Sequence, residues 1–249
     1  MDRLIYTSLT AMRGAQARQT ATANNLANVD TPGFRADLAE AQSLWLRSGG
    51  QALETRAVAS EEVVGANMTT GTINQTGRDL DVALTGDAML VVQSAEGEEA
   101  YTRRGDLQLS ASGLLTTGDG YPVQGTQGPV TIPPADSISI DAEGRVFIVP
   151  AGGDANQPQE VDRLRLATPK GSNIVKGLDN LFRVRGGGTL PDDPDARVIG
   201  RSLEGSNVSA TETLVEMIEA SRSWDAQLKL IGDARDNDAA TANLMQLPQ

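Results

Sequence analysis

Residues 24–35 read Asn24-Asn25-Leu26-Ala27-Asn28-Val29-Asp30-Thr31-Pro32-Gly33-Phe34-Arg35, and two kinds of sequence pattern meet in this stretch. The residues before it, from Arg3 onward, contain no proline and a single glycine. Pro32 biases Thr31 away from helical backbone angles, and Gly33 permits a turn. The stretch therefore predicts that an N-terminal helix ends near Asp30-Thr31-Pro32-Gly33. From spacing alone it is simply a C-terminal turn closed by an aromatic side chain, Phe34.

The N-terminal helix has an incomplete apolar stripe. Side chains recur at alternating steps of four and three residues, which is the spacing of one helix face. The stripe comprises Ile5, Leu9, Met12, Gln16, Gln19, Ala23 and Leu26. At about 1.5 Å per residue the helix would be roughly 40 Å long. Because the stripe is polar or small in its middle, we expect packing among several helices rather than an isolated two-stranded coil.

A second helix is predicted at the C-terminus. Ser209 and Glu212 have the spacing of a capping box, and no proline follows until after Leu247. The heptad-like stripe comprises Leu214, Met217, Trp224, Leu228, Ile231 and Met245, with interruptions at Ser221, Arg235, Asp238 and Ala242. The helix would be about 58 Å long. Such a length indicates a coiled coil, a repeat array or an assembly stem.

Between the helices, residues 78–205 break into short runs with strand character. Gly, Asp, Asn or Pro punctuates these runs every eight to twelve residues or so, which is typical of an antiparallel β-domain. Asp119-Gly120 and Glu143-Gly144 read as hairpin turns. We expect residues 36–77 to form an extended connector that opens with a short helix over Ala36 to Leu46.

Taken together, these patterns predict a mixed α and β fold. Long N- and C-terminal helices would pack together as a coiled-coil-like stem, formed by residues 1–35 with 206–249. An antiparallel all-β domain would be inserted between them at residues 78–205. The first 35 residues carry four basic and two acidic side chains, whereas residues 206–249 carry three basic and seven acidic side chains. Opposite charge is consistent with two ends that face each other.

Composition argues against several classes of function. The formal net charge of −12 disfavours nucleic-acid binding, because a phosphate backbone selects a basic patch. The chain has no Cys and no His, so thiolate chemistry and the commonest general base are missing. The sequence shows no secretory signal, no run long enough to span a membrane and no complete calcium or phosphate-loop motif. We therefore expect no enzymatic activity, no cofactor, no metal and no membrane insertion.

The stretch Asn24 to Arg35 resembles the signature that ends the N-terminal helix of bacterial flagellar rod and hook proteins. The similarity continues through Leu80-Asp81-Val82-Ala83-Leu84, Tyr101-Thr102-Arg103-Arg104-Gly105, Gly113-Leu114-Leu115 and Gly205-Ser206-Asn207-Val208. It thus covers nearly the whole chain. Met1 to Thr7 and Gly65 to Gly71 resemble the proximal-rod members more than the distal-rod or hook members. Gly86-Asp87-Ala88-Met89-Leu90 departs from the aromatic pair that other members often carry at that strand.

The resemblance implies a structural subunit of the proximal rod, a helical tube that crosses the periplasm, transmits motor torque and surrounds the export channel. Its partners would be copies of itself and other rod proteins, proximal and distal, with surrounding ring proteins as a further candidate. Export would need no cleaved signal peptide. Alternatives are a distal-rod paralogue, a secreted carbohydrate-active β-protein with helical oligomerisation arms, and an adhesin-like binding module.

The residues expected to carry assembly fall into two groups. The assembly motif comprises Asn24, Asn25, Leu26, Ala27, Asn28, Thr31, Pro32, Gly33 and Phe34. The assembly helices contribute Ile5, Leu9, Met12, Leu26, Leu214, Met217, Trp224, Leu228 and Ile231. Apolar stripes that a monomer cannot bury would drive polymerisation at about 25 cal/mol per Å² of apolar surface.

Overall fold

A computed structural model describes residues 2–44, 58–154 and 156–245 of the 249-residue chain. In these residues a helix precedes all of the strands and a second helix follows them. The helices are α1 (Asp2–Ala27) and α2 (Ala210–Met245). The end of the second helix, predicted near Leu247, lies outside the described residues.

The strands are short, and their bounds in chain order are as follows: β1 (Asp37–Leu44), β2 (Val58–Ala66), β3 (Ile73–Gln75), β4 (Val82–Leu84), β5 (Met89–Gln93), β6 (Glu99–Thr102), β7 (Gln108–Leu109), β8 (Leu115–Thr116), β9 (Gln124–Gly125), β10 (Gly128–Pro129), β11 (Ala135–Ile140), β12 (Arg145–Pro150), β13 (Gln159–Arg163), β14 (Leu166–Ala167), β15 (Ile174–Lys176), β16 (Phe182–Val184), β17 (Val198–Gly200) and β18 (Ser202–Glu204). The chain divides into two compact units.

The helical unit comprises Met1–Ala27, Asp37–Gly65 and Ser209–Gln249. In its described part, α1 packs against α2 and against β1, and β1 pairs with β2. The helix α2 begins directly after Ser209, whose Oγ lies 3.5 Å from the backbone N of Glu212. Ser209 thus stands where the capping motif predicts the start of the helix.

The β unit comprises Asn28–Ala36 and Ala66–Val208. One sheet has the strand order β14-β5-β6-β16-β15, and another has the order β11-β12-β13. Alternation explains the second sheet: Ile138 pairs with Ile148 and Ile140 with Val146, and Ile140, Val146 and Ile148 are buried. The turn that joins β11 to β12 contains Glu143-Gly144, as expected, and Gly144 has a φ of 79°.

Two apolar clusters form the core of the β unit. The larger is lined by aliphatic side chains from many strands, including Leu84, Leu90, Leu107, Leu115, Val130, Val146 and Leu164. The smaller gathers Met89, Val91, Tyr101, Ala167, Phe182 and Leu190 on the other face of β5. The successive residues of β5 therefore serve both clusters, which explains why its run of Met89 to Val92 is continuously apolar.

The predicted coiled-coil-like stem of long terminal helices is wrong. In the described residues the chain is mostly strands, with two helices that do not form a coiled coil. A coiled-coil seam needs large apolar side chains at its inward positions. The buried side chains of α1 are instead small or polar, as at Ala15, Ala21, Thr22 and Asn25. The helical unit also contains a two-stranded sheet, β1 with β2, which such a stem lacks.

The short helix expected over Ala36 to Leu46 is also wrong, because Asp37–Leu44 forms strand β1. Leu38 and Leu44 are six residues apart, an even spacing that fits one face of a strand and not one face of a helix. Asn25 supplies the local reason for an extended start. Its side-chain Oδ1 accepts from the backbone N of Asp37 at 2.7 Å, and its Nδ2 donates to Asp37 O at 3.0 Å.

Candidate assembly site

The signature stretch forms a turn built from its own side chains and backbone. Thr31 Oγ1 donates to Asn28 Oδ1 at 3.2 Å, and Thr31 N donates to Asn28 O at 3.1 Å. Gly33 has a φ of 67°, and an added Cβ there would stand 2.3 Å from the backbone O of Arg103. Only glycine meets both conditions, since other residues rarely adopt this φ and would collide with Arg103.

Phe34 anchors the end of this turn. Its ring is 4% exposed, and Lys176 Nζ lies 3.6 Å from the ring centroid. Lys176 Nζ also donates to the backbone O of Arg35 at 2.8 Å. The same ammonium group therefore makes a cation–π contact with Phe34 and a hydrogen bond to the next residue, which orients the segment that follows α1.

A buried charge cluster lies directly beyond Phe34. Glu204 Oε1 accepts from Arg35 Nη2 at 2.7 Å, and Glu204 Oε2 accepts from Arg103 Nη2 at 2.6 Å and Nε at 2.9 Å. All three side chains are 1% exposed. Gly71 N donates a fourth hydrogen bond to this carboxylate, at 2.9 Å from Oε1. We call Arg35, Arg103 and Glu204 the Glu204 cluster.

Arg103 also ties the cluster to the end of β4 and to the segment between β4 and β5. Its guanidinium donates to the backbone O atoms of Leu84, Gly86 and Ala88 at 2.9, 2.7 and 2.6 Å. Burial lowers the pKa of Arg103, while Glu204 opposes this by charge attraction and hydrogen bonding. A buried ion pair of this kind confers geometry more than net stability, because desolvation offsets much of the attraction.

Asn207 is the second point where distant segments meet. Its Oδ1 accepts from Ala36 N at 2.7 Å, and its Nδ2 donates to the backbone O atoms of Asn67 and Thr69 at 2.8 and 2.9 Å. Its backbone N donates to Phe34 O at 3.3 Å. One side-chain amide thus joins the segment after the signature, the segment after β2 and the segment before α2.

The structure distributes the predicted motif residues between the two units. Asn24, Asn25, Leu26 and Ala27 end α1 in the helical unit, where Asn24 Nδ2 donates to Asp37 Oδ2 at 2.5 Å and Asn25 is buried. Asn28, Thr31, Pro32, Gly33 and Phe34 belong to the β unit. Sequence reasoning did not single out Arg35, Arg103, Glu204 or Asn207 as site residues, although each lies inside or beside a quoted motif.

The predicted helix positions do not share one face. In α2, Met217, Trp224 and Ile231 are half-buried, whereas Leu214 and Leu228 are exposed. In α1, Leu9 is exposed, Met12 and Leu26 are half-buried, and the side chain of Ile5 lies outside the described part. The less exposed stripe of α2 is instead Thr213, Met217, Ala220, Trp224, Gln227, Ile231 and Ala234. Several members of this stripe are small or polar, so a pattern of large apolar residues does not reveal it in the sequence.

Neither α1 nor α2 is long and apolar enough to cross a membrane, within the part of the chain that the structure describes. Over the same residues, no group of three or more acidic side chains is arranged to hold a metal ion.

Three segments of the chain match family models of flagellar proteins. Residues 5–35 match a model described as flagella basal body rod protein, residues 83–148 a flagellar hook protein FlgE/F/G D1 domain, and residues 200–244 a flagellar basal body rod FlgEFG protein C-terminal domain. Flagellar basal-body rod protein FlgF of Escherichia coli (strain K12) is 38% identical over 253 residues, covering 99% of this chain and 100% of the relative. The chain belongs to the flagellar basal-body rod protein family.

Other relatives include both FlgF and FlgG proteins, and the FlgF proteins of two enteric bacteria share the higher identity. FlgF of Salmonella typhimurium (strain LT2) is also 38% identical, over 99% of this chain and 100% of its own length. FlgG of Bacillus subtilis (strain 168) is 30% identical, over 93% of this chain and 94% of its own. The chain is therefore a FlgF-like rod protein, a structural subunit, and the predicted resemblance to the proximal-rod members is confirmed.

The residues that hold the chain together near Phe34 lie at the ends of two matched segments. The first match ends at Arg35, and the last includes Glu204 and Asn207. Glu204 and Asn207 thus hold the end of the N-terminal rod segment next to the start of the C-terminal one, within the β unit.

Proposed function

We propose that this rod protein polymerises as a non-enzymatic subunit of the flagellar proximal rod. It would assemble with copies of itself and with other proximal and distal rod proteins into a helical tube that crosses the periplasm. The tube transmits torque and surrounds the export channel. Full-length similarity to proteins named as FlgF basal-body rod proteins supports this proposal.

The exposed apolar face of α2 is the observation that carries the proposal. Leu214, Val215, Ile218 and Leu228 are 47–55% exposed, although the other side of the same helix packs against α1. A single helix that leaves this many aliphatic side chains in water gains free energy when a neighbour covers them, at about 25 cal/mol per Å². Burial by neighbouring subunits therefore favours polymerisation.

The assembly motif has a supporting role in this proposal. The turn from Asn28 to Phe34, the Glu204 cluster and Asn207 fix the path of the chain over residues 28–36 and 204–207 within the β unit. We propose that residues 24–34 act by holding this path, and that the helix positions act by contact with neighbours.

The charged groups of the β unit support a structural role. The best buried carboxylate, Glu204, has both oxygens engaged by guanidinium or backbone N–H donors. A general acid or base must exchange its proton with a substrate, which these bonds oppose. The carbohydrate-active alternative therefore has no candidate carboxylate at this position.

We propose the periplasmic rod of the basal body as the location, with surrounding ring proteins as further neighbours. The test is immunogold electron microscopy of isolated basal bodies. Cells would carry, as their sole copy, the chain with an epitope inserted in the exposed Gly186-Gly187-Gly188 loop.

We expect label on the rod, on its membrane-proximal part, and loss of swimming when the gene is deleted. Label on the distal part would instead favour the distal-rod paralogue. Basal bodies without label, from cells in which the tagged chain supports swimming, would contradict rod membership.

A further inference from the structure

One flank of α2 carries an apolar ridge, which we define as Leu214, Val215, Ile218 and Leu228. At 3.6 residues per turn these side chains fall on neighbouring sectors of the helix, beside the stripe that faces α1. Arg222, Lys229 and Asp225 lie among them and are exposed. The ridge is therefore apolar, and the three charged side chains beside it, which we call its border, have a net positive charge.

The helical unit also has a groove of about 460 Å³ between α1, α2 and the start of β1. Its lining includes the small side chains of Ala15, Ala21, Thr22, Ala220 and Ser223. Its charged lining consists of Arg18, Asp37, Glu216 and Glu219, two of them exposed carboxylates on α2. The groove is therefore lined by small side chains and has a net negative border.

Ridge and groove lie on nearly opposite flanks of the same helix. Glu216, Glu219 and Ser223 project from the groove flank, whereas Leu214 and Ile218 project from the other. If the ridge of one copy enters the groove of a second copy, the second copy still has a free ridge. Such a heterologous contact repeats without closing, which yields a ring or a helix rather than a dimer.

Size and charge favour this pairing over a contact between two ridges. The groove volume lies within the range of roughly 300–1,000 Å³ for sites that enclose a small ligand, so it admits aliphatic side chains. Two ridges would bring together two borders that are each net positive, with Arg222, Asp225 and Lys229 from both copies. A ridge in a groove brings one such border to Glu216 and Glu219 instead, and complementary charge selects orientation.

We infer that the apolar ridge of α2 docks in the α1–α2–β1 groove of a second copy of this chain. The inference rests on the proposed rod function and specifies which surfaces meet. We assign the groove to a second copy because the ridge and the groove have opposite net charge and both occur on the helical unit of one chain.

Engineered cysteines test the contact directly, because the chain has no Cys of its own. Cells would express an Ile218→Cys chain together with a Ser223→Cys chain as the only copies, and isolated basal bodies would be oxidised. A disulfide needs Cα atoms within about 7 Å, so it forms only where ridge meets groove. We expect a mixed dimer of the two chains, and none when Leu109→Cys, an exposed position of β7, replaces Ile218→Cys.

A dimer in cells that express Ile218→Cys alone would show ridge-to-ridge contact and overturn the inference. Basal bodies that contain both chains but yield no mixed dimer would also overturn it, while leaving rod membership intact. Absence of the wild-type chain from basal bodies would reject the proposed function and this inference together.

Charge-reversal variants provide a second experiment on the same contact. Arg222→Glu should weaken incorporation into basal bodies roughly two- to fivefold, the size expected for exposed ion pairs. Adding Glu219→Arg to the same chain should restore incorporation, because each contact then regains opposite charges. Adding Asp195→Arg in the β unit should not. Equal incorporation of the two double variants would overturn the pairing.

Discussion

Arg103 and Glu204, 101 residues apart in the chain, form a bidentate ion pair in which Nη2 and Nε of the arginine lie 2.6 and 2.9 Å from one carboxylate oxygen. Both side chains are 1% exposed. Arg35 reaches the other oxygen of the same carboxylate. Glu204 is thus the single anion that neutralises two buried guanidinium groups in this cluster.

Glu204→Gln should destabilise the rod protein by about 3–5 kcal/mol, because removal of one partner leaves buried charges uncompensated. The free energy of unfolding from urea titration measures this. The matched control is Asp79→Asn, which breaks the exposed pair with Arg201 and should cost about 0–1 kcal/mol. Equal losses in the two variants would contradict the buried network.

Gly33→Ala should destabilise more than Gly120→Ala. Both glycines have positive φ, 67° and 88°, but an added Cβ meets Arg103 O at Gly33 and open space at Gly120. Both variants should lose roughly 1 kcal/mol from backbone strain, and Gly33→Ala a further 1–3 kcal/mol from the collision. The denaturant midpoints of unfolding of the two variants measure this difference. Identical midpoints would contradict the close approach of Gly33 to the backbone of Arg103.

Asn207→Ala should release the segment that follows the signature. The Ala36 amide donates to Asn207 Oδ1, so its hydrogen exchange should accelerate when that acceptor is removed. NMR exchange at Ala36 is the measurement, with Asn156→Ala in an exposed turn as the control. Unchanged protection at Ala36 would mean that the amide does not depend on Asn207.

The rod protein should lose stability at alkaline pH through Tyr101. Burial, then the hydrogen bond to Glu99, raises the pKa of Tyr101 to about 12. A phenol whose pKa is raised in the folded state stabilises the fold below its unfolded pKa of about 10 and loses that contribution as pH rises to about 12. Unfolding free energies across this window should fall less steeply in Tyr101→Phe than in the wild type.

A Tyr101→Phe variant also loses the hydrogen bond from Leu190 N to Tyr101 Oη, so it should be less stable at neutral pH as well. The diagnostic quantity is therefore the slope against pH, not the absolute stability. Parallel slopes for the variant and the wild type would show that Tyr101 does not cause the alkaline loss.

Local signals explain what could be predicted from sequence. Pro32 and Gly33 ended the first helix within a few residues of Ala27, and Ser209 marked the start of the second. Alternating runs such as those of β11 and β12 read correctly because their period matches their burial. In α2 the half-buried positions include small or polar side chains, such as Ala220 and Gln227, which the pattern of large apolar residues does not mark.

By itself, the sequence determined where the first helix ends, where the second begins, the β-rich middle and the family, because turns, caps and motifs depend on residues that are neighbours in the chain. Only the tertiary structure decided that Arg35 meets Glu204 across 169 positions and that Asn207 gathers Ala36, Asn67 and Thr69. Such contacts leave no periodic trace, since each uses one residue from each segment. It also decided which flank of α2 faces α1 and which faces solvent, because that choice depends on the shape of the partner helix.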